Sequence, residues 1–277
     1  MTQFQGNIQS LLSRLKPSPL FIKASILLHV ALLPCMVIAP TLWRWWLAVF
    51  LLNHLVISLI GLWPRSTLLG ANWTQLPKAA ALRNEIALTI DDGPEPGVTL
   101  PVLDILDRHQ VKATFFHIGI KAAQYPELCR EIIQRGHAIE NHSQQHSVYF
   151  SMFGYKKMAD EILAGQETLQ RITGVRPRFF RAPAGLRNPF LDPVLKQLGL
   201  QLTSWSVRAF DTRVNNAEKV KTKLVEGVRP GAIVLLHDGN AARTKENQPI
   251  IVAVLPALLE AAKAKGLHFV TLPEAAN

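Results

Sequence analysis

From Glu85 onward, short apolar runs alternate with stretches of helical periodicity, and no other feature restricts the fold as tightly. The runs Ile86–Ile90, Ala113–His117, Ala138–Glu140, Phe179–Arg181, Leu202–Val207, Ile233–His237 and His268–Thr271 read as strands. Helical patterns fall between them, near 99–109, 121–135, 155–173, 189–198, 216–227 and 249–265. Strands separated by helix-length crossovers pair in parallel, with right-handed connections. Seven such strands in about 190 residues predict an α/β barrel somewhat smaller than an eightfold one.

The first 84 residues differ in kind. They contain no Asp or Glu, and they carry Arg14, Lys16, Lys23, Arg44, Arg65, Lys78 and Arg83. The chain has 30 basic residues, so 23 remain after position 84 against all 20 acidic ones. The net charge of +10 therefore belongs mainly to the N-terminal part. No basic run interleaved with aromatics is present, which speaks against a nucleic-acid partner. An apolar, basic, acid-free segment suits anionic lipid.

Two apolar stretches stand there, Ala24–Ala39 and Leu47–Trp63, joined by "PTLWRWW". Each is near the roughly 17-residue minimum for a membrane span. Trp43, Trp45, Trp46 and Trp63 have the placing of an interfacial aromatic belt. A two-helix membrane hairpin is the preferred reading. The first stretch follows a basic N-terminus, as an uncleaved signal sequence would, and a shallow re-entrant or interfacial hairpin competes because His29, Asn53 and His54 sit badly in lipid. Those three are expected to face the partner helix or the interface. Basic residues flank both outer ends and only Arg44 lies between, so the positive-inside rule puts both ends in the cytoplasm. The expected organisation is residues 1–64 as basic N-terminus and hairpin, 65–84 as linker and 85–277 as catalytic domain. Cys35 and Cys129 show neither disulfide nor metal spacing.

Chemistry collects at the C-terminal ends of strands in such a barrel, and the notable polar residues fall there. Asp91 and Asp92 follow the first strand, in "TIDDGP". His142 and His146, in "NHSQQH", follow the third; on a helical turn they would point the same way and bind one metal ion. Asp92 would complete a two-histidine, one-carboxylate set with open positions, which suits zinc or another divalent transition metal. The neighbouring Asp91 can then take a proton from the attacking water. Arg181 would hold that base ionised. His237 would protonate a leaving amine, with Asp211 as carboxylate partner. The set fits metal-assisted hydrolysis of an amide or ester. Glu140 and Asn141 flank His142 and are candidates for orienting it. His117 and His137 read as structural, His268 as an ordinary strand residue, His109 as surface, Asp238 as a loop cap and Trp205 as core.

"TIDDGP", "HSQQH", "RAPAG" and "LLHDG", in that order, with "PVLDILDRHQVKATFFHIG" after the first, resemble the NodB-homology polysaccharide deacetylases over roughly residues 85–275. The resemblance implies a distorted barrel of about seven parallel strands and divalent-metal removal of N-acetyl groups from amino sugars. It implies Asp91 as general base, Asp92, His142 and His146 as metal ligands, Arg181 as orienter of the base, and His237 with Asp211 as general acid. It adds Leu235 lining the pocket for the acetyl methyl group and the Ala184 N–H as an oxyanion donor.

The chain departs from that pattern twice. Ala182 and Ala184 stand where the third motif usually has proline and an aromatic. Thr212 follows Asp211 where tryptophan is usual. Both changes take bulk from the groove wall and put a long polysaccharide in doubt. The expected substrate is a membrane-associated amino-sugar glycan, such as a lipid-linked N-acetylhexosamine, at the bacterial inner membrane with the catalytic domain on the cytoplasmic face. The alternatives are peptidoglycan or exported-polysaccharide deacetylation in the periplasm, and a non-catalytic glycan-binding component of an assembly complex.

Overall fold

The structure, a computed structural model, describes residues 19–277; Arg14 and Lys16 lie outside the described residues. Two helices come first, α1 (Leu20–Ile38) and α2 (Trp43–Gly61). Both are long and apolar enough to cross a membrane, and most of their surface is exposed, which weakly suggests a membrane anchor or signal. The connector is shorter than the sequence implies. Ala39 precedes Pro40 and is pushed out of the helical region, only Pro40–Leu42 forms a 3-10 turn, and Trp43, Trp45 and Trp46 already belong to α2. Asn53 reaches across to the Ser25 hydroxyl at 2.7 Å, and the His29 ring meets Phe50 edge-on at 5.2 Å. These polar residues thus meet the partner helix. Cys35 and Cys129 are both free.

After a short helix, α3 (Lys78–Leu82), strands and helices alternate: β1 (Glu85–Asp91), α4 (Thr99–Arg108), β2 (Thr114–His117), α5 (Gly119–Gln124), α6 (Pro126–Gln134), β3 (Ala138–Asn141), α7 (Tyr155–Thr173), β4 (Phe179–Phe180), α8 (Leu191–Leu198), β5 (Gln201–Leu202), β6 (Val207–Arg208), α9 (Ala217–Gly227), β7 (Ile233–His237), α10 (Ile250–Ala264), β8 (His268–Phe269) and α11 (Leu272–Ala275). All pairings among these strands are parallel, in the order β5-β4-β3-β2-β1-β7-β6, with β8 on the start of β1.

Two sequence expectations are corrected. The pattern at 121–135 reads as one helix, but Pro126 breaks it at Tyr125 into α5 and α6. The run Leu202–Val207 reads as one strand, yet it is two short ones at opposite ends of the sheet. β5 pairs with β4 and β6 pairs with β7. One interrupted stretch, 201–208, therefore joins both ends of the sheet and makes it a distorted barrel. Residues 203–206 leave the strand because the linker enters there. Trp73 N–H donates to Leu202 O, Ser204 N–H donates to Trp73 O, and the Trp73 ring meets Phe179 edge-on at 5.3 Å. The linker packs on the barrel, with Leu69 and Leu76 buried.

β1 is buried on both sides, as a central parallel strand must be. Ile86, Leu88 and Ile90 join the apolar cluster shared with the helices, while Ala87 packs inside with Phe116, Ile233 and Leu235. By the same two-residue period Thr89 and Asp91 face inward. The register sets Asp91 opposite both Phe116 and His237, and Asn141 opposite Phe180, so the strand ends carrying the polar residues line up on one rim.

Candidate active site

β1 ends in two acids with different backbones. Asp91 is the last strand residue, whereas Asp92 turns to φ +73°, a conformation that Asp adopts more readily than most residues. Both carboxylates still reach His142 Nε2, Asp92 at 3.2 Å and Asp91 at 3.9 Å. Gly93 follows because any side chain there would run into the Asp238 carboxylate. Asp238 accepts from the Thr99 hydroxyl and the Gly239 N–H, so it braces the turn. Burial pushes its carboxyl up to about 6.

His142 and His146 are not on a helical turn. The loop after β3 passes through positive φ at Ser143 (+68°) and His146 (+52°). It is held from within: Asn141 Oδ1 accepts from Ser143 N–H at 2.9 Å, and the Ser143 hydroxyl accepts from His146 N–H at 2.9 Å. Gly165 of α7 lies close beneath this loop. His142 Nδ1–H donates to Arg181 O at 2.8 Å, which leaves Nε2 as the lone-pair nitrogen. Both imidazole Nε2 atoms stand 3.2 Å from Asp92 Oδ1. Burial, and then the neighbouring His142, push His146 down to about 4, so its ring is neutral and free to act as a ligand. Burial raises the Asp92 carboxyl, but the adjacent histidines outweigh it and the group lies well below its ordinary value. The candidate ligand atoms of Asp92, His142 and His146 lie within 4.8 Å of one another. One carboxylate and two imidazoles fit a divalent transition metal.

Arg181 is fully buried behind Asp91. It donates to Asp91 Oδ1 at 2.6 Å, to the Thr89 hydroxyl at 2.8 Å, and to the carbonyls of Thr203 and Ser204. Its guanidinium lies 4.2 Å over the Phe116 ring. The interrupted strand is what supplies those two carbonyls. On the other side, Asp211 accepts the His237 backbone N–H at 2.8 Å and holds His237 Nδ1 at 2.9 Å. Burial would lower the imidazole, yet the Asp211 charge, helped by Asp91 and Asp92, outweighs it and raises His237 to about 9.

A cleft of about 200 Å³ is lined by Asp91, Asp92, His142, His146, Ala184, Leu235 and His237. Arg181 and Asp211 stand behind it. All nine residues singled out from the sequence therefore come together. Ala182, Gly185, Arg208, Thr212 and Asn240 line the cleft as well, and the Asn240 amide donates to Asp92 Oδ2 at 3.1 Å. Asn240 sits in "LLHDGN", three positions after His237, which is the only sequence signal for it. Trp205 is 7% exposed and belongs to the core, but its ring also walls the cleft. Glu140 is turned away from His142. It accepts the Arg178 and Phe179 N–H groups and pins β4 to β3. His137 accepts the Ala113 N–H, and His117 is buried beside Cys129.

The chain is similar to known proteins over most of this domain. A family model described as polysaccharide deacetylase matches residues 78–203. A peptidoglycan-N-acetylglucosamine deacetylase from Bacillus cereus is 35% identical over 191 residues, which cover 68% of this chain and 86% of that protein. A chitooligosaccharide deacetylase from Azorhizobium caulinodans is 38% identical over 158 residues, 57% of this chain and 75% of its own length. A crystal structure of a peptidoglycan N-acetylglucosamine deacetylase, in complex with 4-naphthalen-1-yl-N-oxidanyl-benzamide, has a TM-score of 0.65 at 30% identity and covers 74% of this chain and 92% of that one. A family 4 carbohydrate esterase from Streptomyces lividans, in complex with acetate, has a TM-score of 0.60 at 29% identity, over 67% and 91% of the two chains.

Proposed function

We propose that this chain, which belongs to the polysaccharide deacetylase family, removes the N-acetyl group from an amino sugar carried at the membrane, a lipid-linked N-acetylhexosamine being the substrate class. Members of the family are hydrolases of N-acetyl amide bonds and depend on a divalent metal.

One observation supports the membrane substrate. The end of α2 packs against residues beside the cleft. Arg187 N–H donates to Gly61 O, and the Ser204 hydroxyl and the Asn72 amide both donate to Pro64 O. Pro64 lies so close to Gly185, just past Ala184, that a Cβ at 185 would come within 2.6 Å of it. The cleft thus opens beside the apolar helices. Ala184 and Thr212, where bulkier residues are usual, leave its wall low.

In this reading Asp92, His142 and His146 hold the ion, with zinc the best match to the donor set. When bound, the ion polarises the amide carbonyl and lowers the pKa of water. Asp91, fixed by Arg181, takes the proton of the attacking water. His237, kept protonated by Asp211, gives a proton to the departing amine nitrogen. The Ala184 N–H donates to the developing oxyanion, and Leu235 receives the methyl group. Both ends of the hairpin lie in the cytoplasm in this reading, from the basic residues flanking it.

A second reading is favoured by the names of the relatives: deacetylation of peptidoglycan or another exported polysaccharide in the periplasm. The test is acetate release by the full-length, detergent-purified protein from a polyprenyl-phosphate-linked N-acetylhexosamine, a chitooligosaccharide and peptidoglycan. Turnover of the lipid-linked sugar is expected. Turnover of the polymers alone would overturn the membrane-substrate reading. A compartment-specific reporter fused after Asn277 separates the two faces.

A further inference from the structure

Beside the cleft lies a second, larger cavity of about 650 Å³, within the roughly 300–1,000 Å³ of small-molecule sites. It is bounded by the exit of α2 on one side and by α9 on the other. Trp205 and Arg208 belong to the walls of both spaces, so one ligand can reach from the first into the second.

The walls are cationic. Arg65, Arg208, Lys223 and Arg229 face one acid, Glu226. Among the described residues none of these five forms an ion pair. Arg208 is held by aromatic rings instead. Its guanidinium lies 5.0 Å over Trp205 and 4.9 Å over Phe210, and its buried Nε has no hydrogen-bond partner. Lys223 stands 4.8 Å over the same Phe210 ring. Four cations around one cavity repel each other, and an anion placed among them relieves that repulsion. A guanidinium fork with an unused N–H matches phosphate oxygens. Trp63 and Pro64 also line the cavity, directly after the apolar helix. A phosphate on a lipid carrier would lie at that level.

We propose that this cavity binds a phosphate ester on the reducing end of the amino sugar while the N-acetyl group occupies the cleft of Asp92, His142 and His146. The inference rests on the proposed membrane-carried substrate and specifies how it is recognised. The charge comes either from a lipid phosphate or from a nucleoside diphosphate, and the substrates of the test separate the two.

The experiment measures kcat/KM for acetate release by the full-length protein in detergent. The substrates are a polyprenyl-phosphate N-acetylhexosamine, a UDP-N-acetylhexosamine and an alkyl N-acetylhexosaminide without phosphate. The wild type is expected to prefer a phosphorylated substrate to the alkyl glycoside at least about tenfold. The variant Lys223→Gln/Arg229→Gln is expected to reduce that ratio by about tenfold or more, since bonds to charged groups are strong. Preference for the lipid phosphate supports the lipid carrier; equal preference for the UDP-sugar supports the subsite with a soluble substrate. A wild-type ratio near one, or a preference the variant leaves unchanged, overturns the proposal. A rise in Tm with inorganic pyrophosphate, lost in the double variant, reports the site without turnover. Protection without acetate release from any of these sugars would sink the substrate reading and keep the anion site. Acetate release from the lipid-linked sugar without protection would do the reverse.

Discussion

Replacing Asp211 by Asn isolates the part of the site that holds a proton. Asp211 is wholly buried and makes two contacts with one residue, to the His237 N–H at 2.8 Å and to Nδ1 at 2.9 Å. Burial lowers the His237 pKa and the Asp211 charge raises it, with a net value of about 9. Asn keeps the shape and removes the charge. The imidazole then falls toward its ordinary value of about 6.5. At pH 8 a group with pKa near 9 is about 90% protonated, and one near 6.5 is about 3% protonated. Acetate release at pH 8 should therefore drop roughly thirtyfold, while at pH 6 the loss from this cause is less than about twofold. The assay is the pH profile of kcat/KM from pH 5.5 to 10 with metal in excess. The alkaline limb should move from near pH 9 to near pH 6.5. A uniform loss at every pH, with the limb in place, would refute the reasoning, because Asp211 would then position the ring without setting its charge. The Asn amide must also turn an N–H toward a donor, which costs about 1–3 kcal/mol of stability, so metal content and circular dichroism accompany the assay.

The remaining predictions concern the frame around that proton. His142→Ala removes a candidate ligand and should lower bound metal from about one equivalent to near none, with at least about a hundredfold loss of acetate release; elemental analysis and a chelator-treated wild type check it. Gly165→Ala would stabilise an ordinary helix by about 1 kcal/mol, but here the new Cβ comes 2.7 Å from Asn141 Oδ1 and 3.0 Å from the Ser143 carbonyl carbon. It should displace the histidine loop and weaken metal binding about tenfold or more in a competition titration, and unchanged affinity would show that the loop yields freely. Glu140→Ala orphans the buried Phe179 N–H and frees the half-buried Arg178 N–H, and should cost roughly 1–3 kcal/mol in urea unfolding, whereas a direct role at the ligands would show as lost metal instead. The raised pKa of His237 adds stability that is fully present below pH 6.5 and is lost as pH climbs through about 9. Metal-free wild type should accordingly lose its advantage over metal-free His237→Gln across that window, in Tm against pH.

The alternation after Glu85 was enough to foresee a parallel α/β barrel, because each apolar run is too short for a helix and each helical pattern long enough for a crossover. The same pattern brings Asp91, Asp92, His142, Arg181, Asp211 and His237 to strand ends, so the composition of the site could be read before any geometry. Even the tight turn at Asp92 follows from residue types, since Asp tolerates positive φ and glycine comes next.

Tertiary structure decided how those residues meet. Leu202–Val207 has the apolar character of one strand, but the linker residue Trp73 takes its middle for hydrogen bonding, more than a hundred residues away along the chain. That break frees the Thr203 and Ser204 carbonyls to hold Arg181. His142 and His146 share a metal-type geometry through hydrogen bonds within a loop, whereas their spacing suggested a helical turn. Glu140 looked like a partner of His142 because it is close in sequence, yet its carboxylate is taken by the Arg178 and Phe179 N–H groups at the start of the neighbouring strand. Arg208 carries no local signature, and Asn240 only its place three positions after His237. Their place at the cleft follows from which strands are neighbours, and that is set by long-range pairing and by burial of both faces of β1. Local residue chemistry is written in the order of the amino acids; the distances that make it one site come from the closure of the sheet.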